Sequence, residues 1–226
     1  MLSPEGVAFD AATHPVAALA RTGRPVVADR AALAATIATL TGPIATSMLQ
    51  ATQHAERTAA RLVARDGPGA LDDPGLAAVQ DAIRIYRDGG SLGPDARFAW
   101  LAFVLIRLPV RDDAWARMDP AHRGAHLRVW TDLVRRAQPG YVAAPASLLA
   151  FTAWQCGEGA LANIALDRAL ADAPGYSMAL LLREPISNGC PPSMAVLPMT
   201  PEQVADSYAK PGAAEDDRPD TAPTSD

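Results

Sequence analysis

The sequence predicts an all-α fold, in which a helical domain over residues 1–209 is followed by a disordered acidic tail over residues 210–226. Apolar residues recur at helical spacing through most of the domain and leave little room for strands. The tail consists largely of Pro, Ala, Asp, Ser and Thr, which cannot bury enough apolar surface to offset the entropy lost on ordering. Only residues 24–28 invite a different assignment, and so short a strand cannot make a sheet alone.

A third observation is the segment 143–176, which has the pattern of two helices packed back to back. Small residues stand where a helix pair must approach closely, and these are Ala150, Ala162 and Ala169. A glycine-containing turn, Gly157-Glu158-Gly159, separates the two halves, and Pro174 ends the second. We therefore expect a close helix pair near the carboxyl end.

Six helices are expected before this pair. The first follows a cap at Asp29 and ends at Thr41-Gly42, and the second runs from Pro43 to about Asp66. The third carries an amphipathic repeat, which consists of Leu76, Val79, Ile83 and Tyr86. Asp72 or Asp73 is available to cap this helix, and Gly89-Gly90 is expected to end it.

The fourth helix is apolar nearly all round from Phe98 to Ile106, which indicates that neighbours cover it on every side. We therefore place it at the centre of the fold, closed by Pro109. A short fifth helix carries residues 112–118, and Asp119-Pro120 opens the sixth. The apolar face of the sixth helix consists of Leu127, Trp130, Val134 and Ala137.

After the pair, one more helix is expected from Tyr176 to Arg183, ended by Pro185, and then an extended loop. A last short helix begins with a capping box. The residues of this signal are the cap Thr200, Pro201 at the first helical position, Gln203 reaching back, and Met199 packing on Val204.

Composition and charge exclude several classes of protein. The net charge of −5 comes mostly from residues 211–226, which hold five acidic side chains and one arginine, so the domain is nearly neutral. Binding to nucleic acid is therefore not expected. The longest apolar run is about half of a membrane span and no secretory signal is recognisable, so we expect a cytoplasmic protein without a membrane partner. Cys156 and Cys190 lie in no metal-binding spacing and are expected to be reduced.

The helix pair resembles a single tetratricopeptide repeat. The residues that match its preferred positions are Leu149, Ala150, Gly157, Ala162, Leu166 and Ala169, with Pro174 as the closing proline. Ala146 and Ala153 stand where the repeat usually has its Trp and Tyr. No second copy follows at a period of about 34 residues, so the resemblance implies one repeat-like pair in a helical domain.

A second resemblance covers more of the chain. Residues 148–163, 176–182 and 199–204 are similar to the C-terminal signature of an actinobacterial family, domain of unknown function 4192, and a weaker likeness reaches back to Phe9-Asp10 and His14-Pro15. Members of that family are longer and begin with a strand-rich region that is not found here. The family has no established activity, so the resemblance implies no catalytic residue.

Candidate chemistry is sparse. His122 and His126 have the spacing of two metal ligands on one helix face, but no third ligand follows, so a solvent-facing first turn is the preferred interpretation and no metal is expected. The aspartates Asp72-Asp73, Asp112-Asp113 and Asp119 are interpreted as helix caps. Motifs of hydrolases, nucleotide-binding loops and zinc proteases are absent from the sequence.

Arginines outnumber aspartates between residues 107 and 136, a pattern that a solvated face with local ion pairs explains more simply than RNA binding does. Trp154 and Trp130 are expected in the core. Asn163, in the helix pair, must find a hydrogen-bond partner and is therefore either a structural bracket or a groove contact.

The leading hypothesis is a non-enzymatic protein interaction or scaffold module without a cofactor. Closely paired helices tend to leave a groove for a partner helix or peptide, and Trp154, Asn163 and Arg168 are the candidate groove residues. The alternative hypothesis is the helical accessory portion of an enzyme whose strand-rich N-terminal region is missing here. RNA binding through the arginine face is a third, less favoured hypothesis.

Overall fold

A computed structural model describes residues 29–197 and 199–209. These residues form ten α-helices and contain no β-strand, which confirms the all-α class for this part of the chain. The helices are α1 (Arg30–Thr36), α2 (Pro43–Asp66), α3 (Asp72–Arg87), α4 (Asp95–Val104), α5 (Leu108–Ala116), α6 (Arg123–Arg136), α7 (Ala143–Gln155), α8 (Gly159–Asp172), α9 (Ser177–Ser187) and α10 (Pro201–Ala209). The possible strand at residues 24–28, Phe9-Asp10, His14 and the predicted tail at 210–226 lie outside the described residues.

The chain divides into two compact units, Met1–Thr36 and Ile37–Asp226. The described part of the first unit is α1, preceded by Asp29. The carboxylate of Asp29 accepts a hydrogen bond from the Ala32 N–H at 2.7 Å, which is the predicted cap. The helix ends at Thr36, earlier than the expected Thr41-Gly42.

The second unit is organised around α7. All thirteen residues of α7 are buried, and the helix packs against α6, α8, α9 and α5. Its partner α8 runs back along it after a turn in which Gly157 has φ of 75° and the Glu158 N–H donates to the Ala153 carbonyl at 2.8 Å. Such a turn satisfies carbonyls at the helix end and requires the left-handed conformation that glycine adopts easily.

The small residues lie where the sequence predicts them. Ala150 of α7 and Ala162 and Ala169 of α8 are all 0% exposed. α8 ends at Asp172, two residues before Pro174. The two helices are therefore in close contact along their length, as expected for a pair with alanines at its interface.

The position of the central helix corrects the expectation for the run from Phe98 to Ile106. α4 leaves Trp100 and Phe103 partly exposed, and Ile106, beyond its end, is 49% exposed. The alanine-rich α7 is covered on all sides instead, because its small side chains allow several helices to approach it. Pro109 also does not close α4; it lies in the first turn of α5, where its missing N–H costs no helical hydrogen bond.

Pro185 is a second correction. It lies inside α9, which continues to Ser187 and does not stop at Arg183. The proline deprives the Leu181 carbonyl of its helical partner, but Leu181 lies on an exposed part of the helix, where water can replace that bond. The helix ends at Asn188-Gly189, where the Cys190 N–H donates to the Pro185 carbonyl at 3.0 Å.

The last described helix confirms its start signal. The Thr200 N–H donates to Gln203 Oε1 at 2.9 Å and the Gln203 N–H donates to Thr200 Oγ1 at 3.3 Å, which is the predicted capping box. Met199 and Val204 line the same small cavity against α5. Among the described helices, none combines the length and the apolar character that crossing a bilayer would require.

Candidate interaction site

Two of the three predicted groove residues contact α9 and the loop that follows it. The indole N–H of Trp154 donates to the Cys190 carbonyl at 2.8 Å, and Trp154 is 6% exposed. The Asn163 amide donates to the Gly159 carbonyl at 3.0 Å and accepts from the Ser187 hydroxyl at 3.1 Å. In these contacts Asn163 brackets α8 to α9.

Arg168, the third predicted groove residue, faces the segment that leads into α2. Its guanidinium donates to the Thr39 hydroxyl at 2.8 Å, and burial lowers its pKa below the ordinary arginine value. Arg168 therefore contacts a different part of the domain from Trp154 and Asn163. None of the three residues lines either of the two clefts described below.

The histidine pair has a structural arrangement that corrects the expected solvent-facing turn. His126 is 1% exposed, and its Nε2 accepts a hydrogen bond from the Asp119 N–H at 3.2 Å. Burial lowers the pKa of His126 to about 4, so its ring is neutral near pH 7. His122 lies in the preceding turn, where its Nδ1 is 2.6 Å from Asp119 Oδ2, and this hydrogen bond lowers the pKa of Asp119.

The described residues contain no group of three or more His, Cys, Asp or Glu side chains that could hold a metal ion. Cys156 and Cys190 are not joined by a disulfide. Both histidines form hydrogen bonds with Asp119 and so stabilise the connection between α5 and α6. Asp119 also caps the short turn that follows it, because its carboxylate accepts from the Ala121 N–H at 2.8 Å.

The arginine-rich stretch 107–136 is largely paired within the domain. Arg107 binds Asp72 at 2.9 Å, Arg117 binds Asp113 at 2.6 Å, and Arg136 lies 3.5 Å from Asp132. The ion pairs agree with the preferred interpretation of this stretch as a face with local pairs.

The capping role expected for Asp112 and Asp113 is wrong, and α3 has Leu71 at its cap position with no cap hydrogen bond from a side chain, so Asp72 and Asp73 lie in its first turn instead. Asp112 and Asp113 lie in the second half of α5, because that helix begins four residues before Asp112. Asp112 instead accepts from Arg111 Nε at 2.7 Å and from the Tyr208 hydroxyl at 2.6 Å. It therefore joins α5 to α10, a role that sequence spacing does not indicate.

The docking of α10 on α5 defines the first of two clefts. Val204 is the only described residue of α10 that is buried, at 3% exposure, and Tyr208 supplies the hydrogen bond to Asp112. Burial and this bond to a carboxylate both raise the pKa of Tyr208, so its hydroxyl stays protonated and donates. Beside α10 a cavity of about 490 Å³ runs along the surface, and we name it the α10 groove; it is lined by Leu76, Pro109, Asp113, Val204, Ala205 and Tyr208, among others.

The second cleft adjoins the first at Arg117 and Pro201, which line both. It has a volume of about 580 Å³, and we name it the arginine cleft because Arg84, Arg87 and Arg117 form much of its wall. Gln80, Ile83 and Asp88 complete the α3 side. The sequence predicts neither cleft. The pattern that could have indicated the α10 groove is the spacing of Val204 and Tyr208, which lie one helical turn apart.

The fold and its clefts define a class: an all-α domain built around one buried helix, with two surface clefts lined in part by the last described helix. The chain belongs to the family described as Domain of unknown function (DUF4192), whose model matches residues 2–193. This match confirms the family expected from the sequence. No curated protein and no solved structure matches the chain. α10 lies beyond the matched residues.

Proposed function

We propose that this protein is a cytoplasmic, non-enzymatic interaction module that binds a short helical segment of a partner protein in place of α10, against the α5 side of the α10 groove. The observation that carries the proposal is the thin docking of α10. A helix of nine residues has one fully buried side chain, Val204, and a half-buried Tyr208 that donates one hydrogen bond to Asp112 of α5. The resemblance of α7 and α8 to a tetratricopeptide repeat, a known peptide-binding unit, remains a prediction that is in keeping with this role.

The strength of this docking supports exchange with a partner. Full burial of a valine contributes about 1.5–3 kcal/mol, and a hydrogen bond to a charged group contributes about as much. Isolated helices shorter than about 12–15 residues are marginal in water, so α10 depends on these contacts for its order. A partner helix that offers a larger apolar face could therefore replace it.

The groove has the composition of a helix-binding surface. Leu76 and Pro109 supply apolar wall, while Asp72 with Arg107 and Asp113 with Arg117 form ion pairs at its margin. Such a surface suits an amphipathic helix that buries residues one turn apart, as Val204 and Tyr208 are. The reduced cysteines suit a reducing compartment.

Affinity capture from a lysate, followed by mass spectrometry, tests the proposal with three variants of the full chain. Val204→Asp places a charge at a 3% exposed site and should release α10, so recovery of a partner should rise. Val196→Asp, at a 72% exposed site, is the matched control and should behave as the wild type.

The third variant, Leu76→Arg, changes the groove wall and should lower recovery even when combined with Val204→Asp. The proposal is wrong if no protein is recovered above background by any of the chains, or if recovery is the same for Val204→Asp and Leu76→Arg.

A further inference from the structure

We propose that the arginine cleft binds a small ligand that carries a phosphate or diphosphate group. The cleft is a separate surface from the α10 groove, although the two meet at Arg117 and Pro201. The inference therefore does not depend on the proposed protein interaction. It follows from the donors that line the cleft and from its size.

The donors come from two helices. Arg84 and Arg87 lie one turn apart on α3, on the same face as Gln80, and Arg117 stands at the end of α5. Arginines in the last turn of a helix are favoured by the helix dipole, which accounts for Arg84 and Arg87. Arg117 directly follows the last residue of α5, so the same dipole effect favours it, and the fold brings it to the cleft from a different helix.

The arginines retain hydrogen-bonding capacity toward the cleft. Arg84 donates to Asp81 at 2.9 Å through Nη2, and Arg117 donates to Asp113 at 2.6 Å through Nε. A guanidinium has five N–H groups in a planar fork, so one such bond orients the group and leaves others for a bidentate contact with a phosphate. Arg87 contacts the His122 ring at 3.5 Å rather than a carboxylate.

Most of the charged groups that line the cleft are guanidinium groups, which are donors to an anion. Three guanidinium groups line it together with one carboxylate, that of Asp88. Asp81 and Asp113, which pair with Arg84 and Arg117, do not line the cleft, but together with Asp88 they balance the formal charge of the three arginines. Because the whole chain carries a net charge of −5, the arginines in the cleft are a local concentration and do not reflect a generally basic protein.

The size of the cleft sets the class of ligand. A volume of about 580 Å³ is within the usual range for small-molecule sites. Ile83, which is 7% exposed, gives the cleft an apolar floor for an organic group beside the phosphate. Arginine forks match phosphate oxygens in geometry, and three of them match a diphosphate better than a single carboxylate.

Isothermal titration calorimetry of the full chain with sodium pyrophosphate tests this proposal, with sodium acetate at equal ionic strength as the comparison anion. We expect binding of pyrophosphate and about tenfold weaker binding for each of Arg84→Gln and Arg87→Gln, which remove one charged contact at exposed positions. Arg57→Gln, an exposed arginine of α2 outside the cleft, is the matched control and should bind as the wild type.

Absence of pyrophosphate binding at millimolar concentrations, equal binding of acetate, or an equal loss in the Arg57→Gln control would each overturn the proposal. Arg84→Gln and Arg87→Gln should leave the recovery of a partner protein unchanged, because neither residue lines the α10 groove. Loss of anion binding and loss of partner binding are therefore distinguishable.

Discussion

A methyl group added at Gly75 tests the packing of α3 on α4 and α5. A Cβ at this position would lie 2.6 Å from Val110 Cγ2 and 3.2 Å from Val104 Cβ, and the first distance is shorter than real Cβ contacts allow. Both valines are 0% exposed. Because they branch at Cβ, they have few rotamers and cannot swing aside. Gly75→Ala must therefore displace α3 or strain α5.

Two effects of opposite sign decide the magnitude. Alanine is favoured over glycine inside a helix by about 1 kcal/mol. Overpacking a dense core costs about 1–3 kcal/mol, and the 2.6 Å contact places Gly75 toward the upper end of that cost. We expect a net decrease of about 1–2 kcal/mol in the free energy of unfolding, which lowers the Tm by several degrees.

Gly124→Ala in α6 is the matched control. The nearest atom to a Cβ there is Arg128 Nη1 at 3.8 Å, an ordinary contact, so only the helical preference changes. We expect this variant to be more stable than the wild type by about 0.5–1 kcal/mol. Urea unfolding followed by far-ultraviolet circular dichroism measures both. If Gly75→Ala were as stable as Gly124→Ala, the close approach of Gly75 to Val110 would be refuted.

Three further predictions concern single side chains. The pKa of His126 is lowered to about 4, so below about pH 6.5 the unfolded chain binds more protons than the folded domain does. The free energy of unfolding should therefore fall by about 2 kcal/mol between pH 7 and pH 5. Urea unfolding of His126→Gln should show a smaller decrease over the same range. Ala150→Leu should lower the unfolding free energy by about 1–3 kcal/mol in the same assay, because Ala150 is 0% exposed on α7, which is buried along its whole length, whereas an unchanged value would contradict dense packing around this helix. Tyr208→Phe should speed amide hydrogen exchange in α10 by roughly fivefold or more, since it removes the bond to Asp112, and unchanged exchange would show that this bond does not hold the helix.

Local signals in the sequence predict local structure well. The capping box of Thr200 and Gln203 needs only four consecutive residues, and the structure forms both of its hydrogen bonds. The bounds of α2, from Pro43 to Asp66, follow from a proline and a glycine beside them. The sequence also predicts the buried alanines of the helix pair, because close approach of two helices requires small side chains at regular spacing.

Long-range contacts are not readable in this way. Asp112 is joined to Tyr208 across 96 positions of sequence, so its spacing from neighbours misassigns it as a cap. The central position of α7 depends on how many helices surround it, whereas the unbroken apolar run from Phe98 to Ile106 favours the more aromatic α4. The clefts are formed by side chains of α3, α5 and α10, which are adjacent only after folding.

The covalent connection of α10 to the rest of the domain has a consequence for any competitor. A tethered segment acts at a local concentration on the order of millimolar, independent of how much protein is present. A free helix at micromolar concentration that made only the same contacts would be outcompeted by about a thousandfold. A binding partner must therefore make contacts beyond those of α10 in order to displace it.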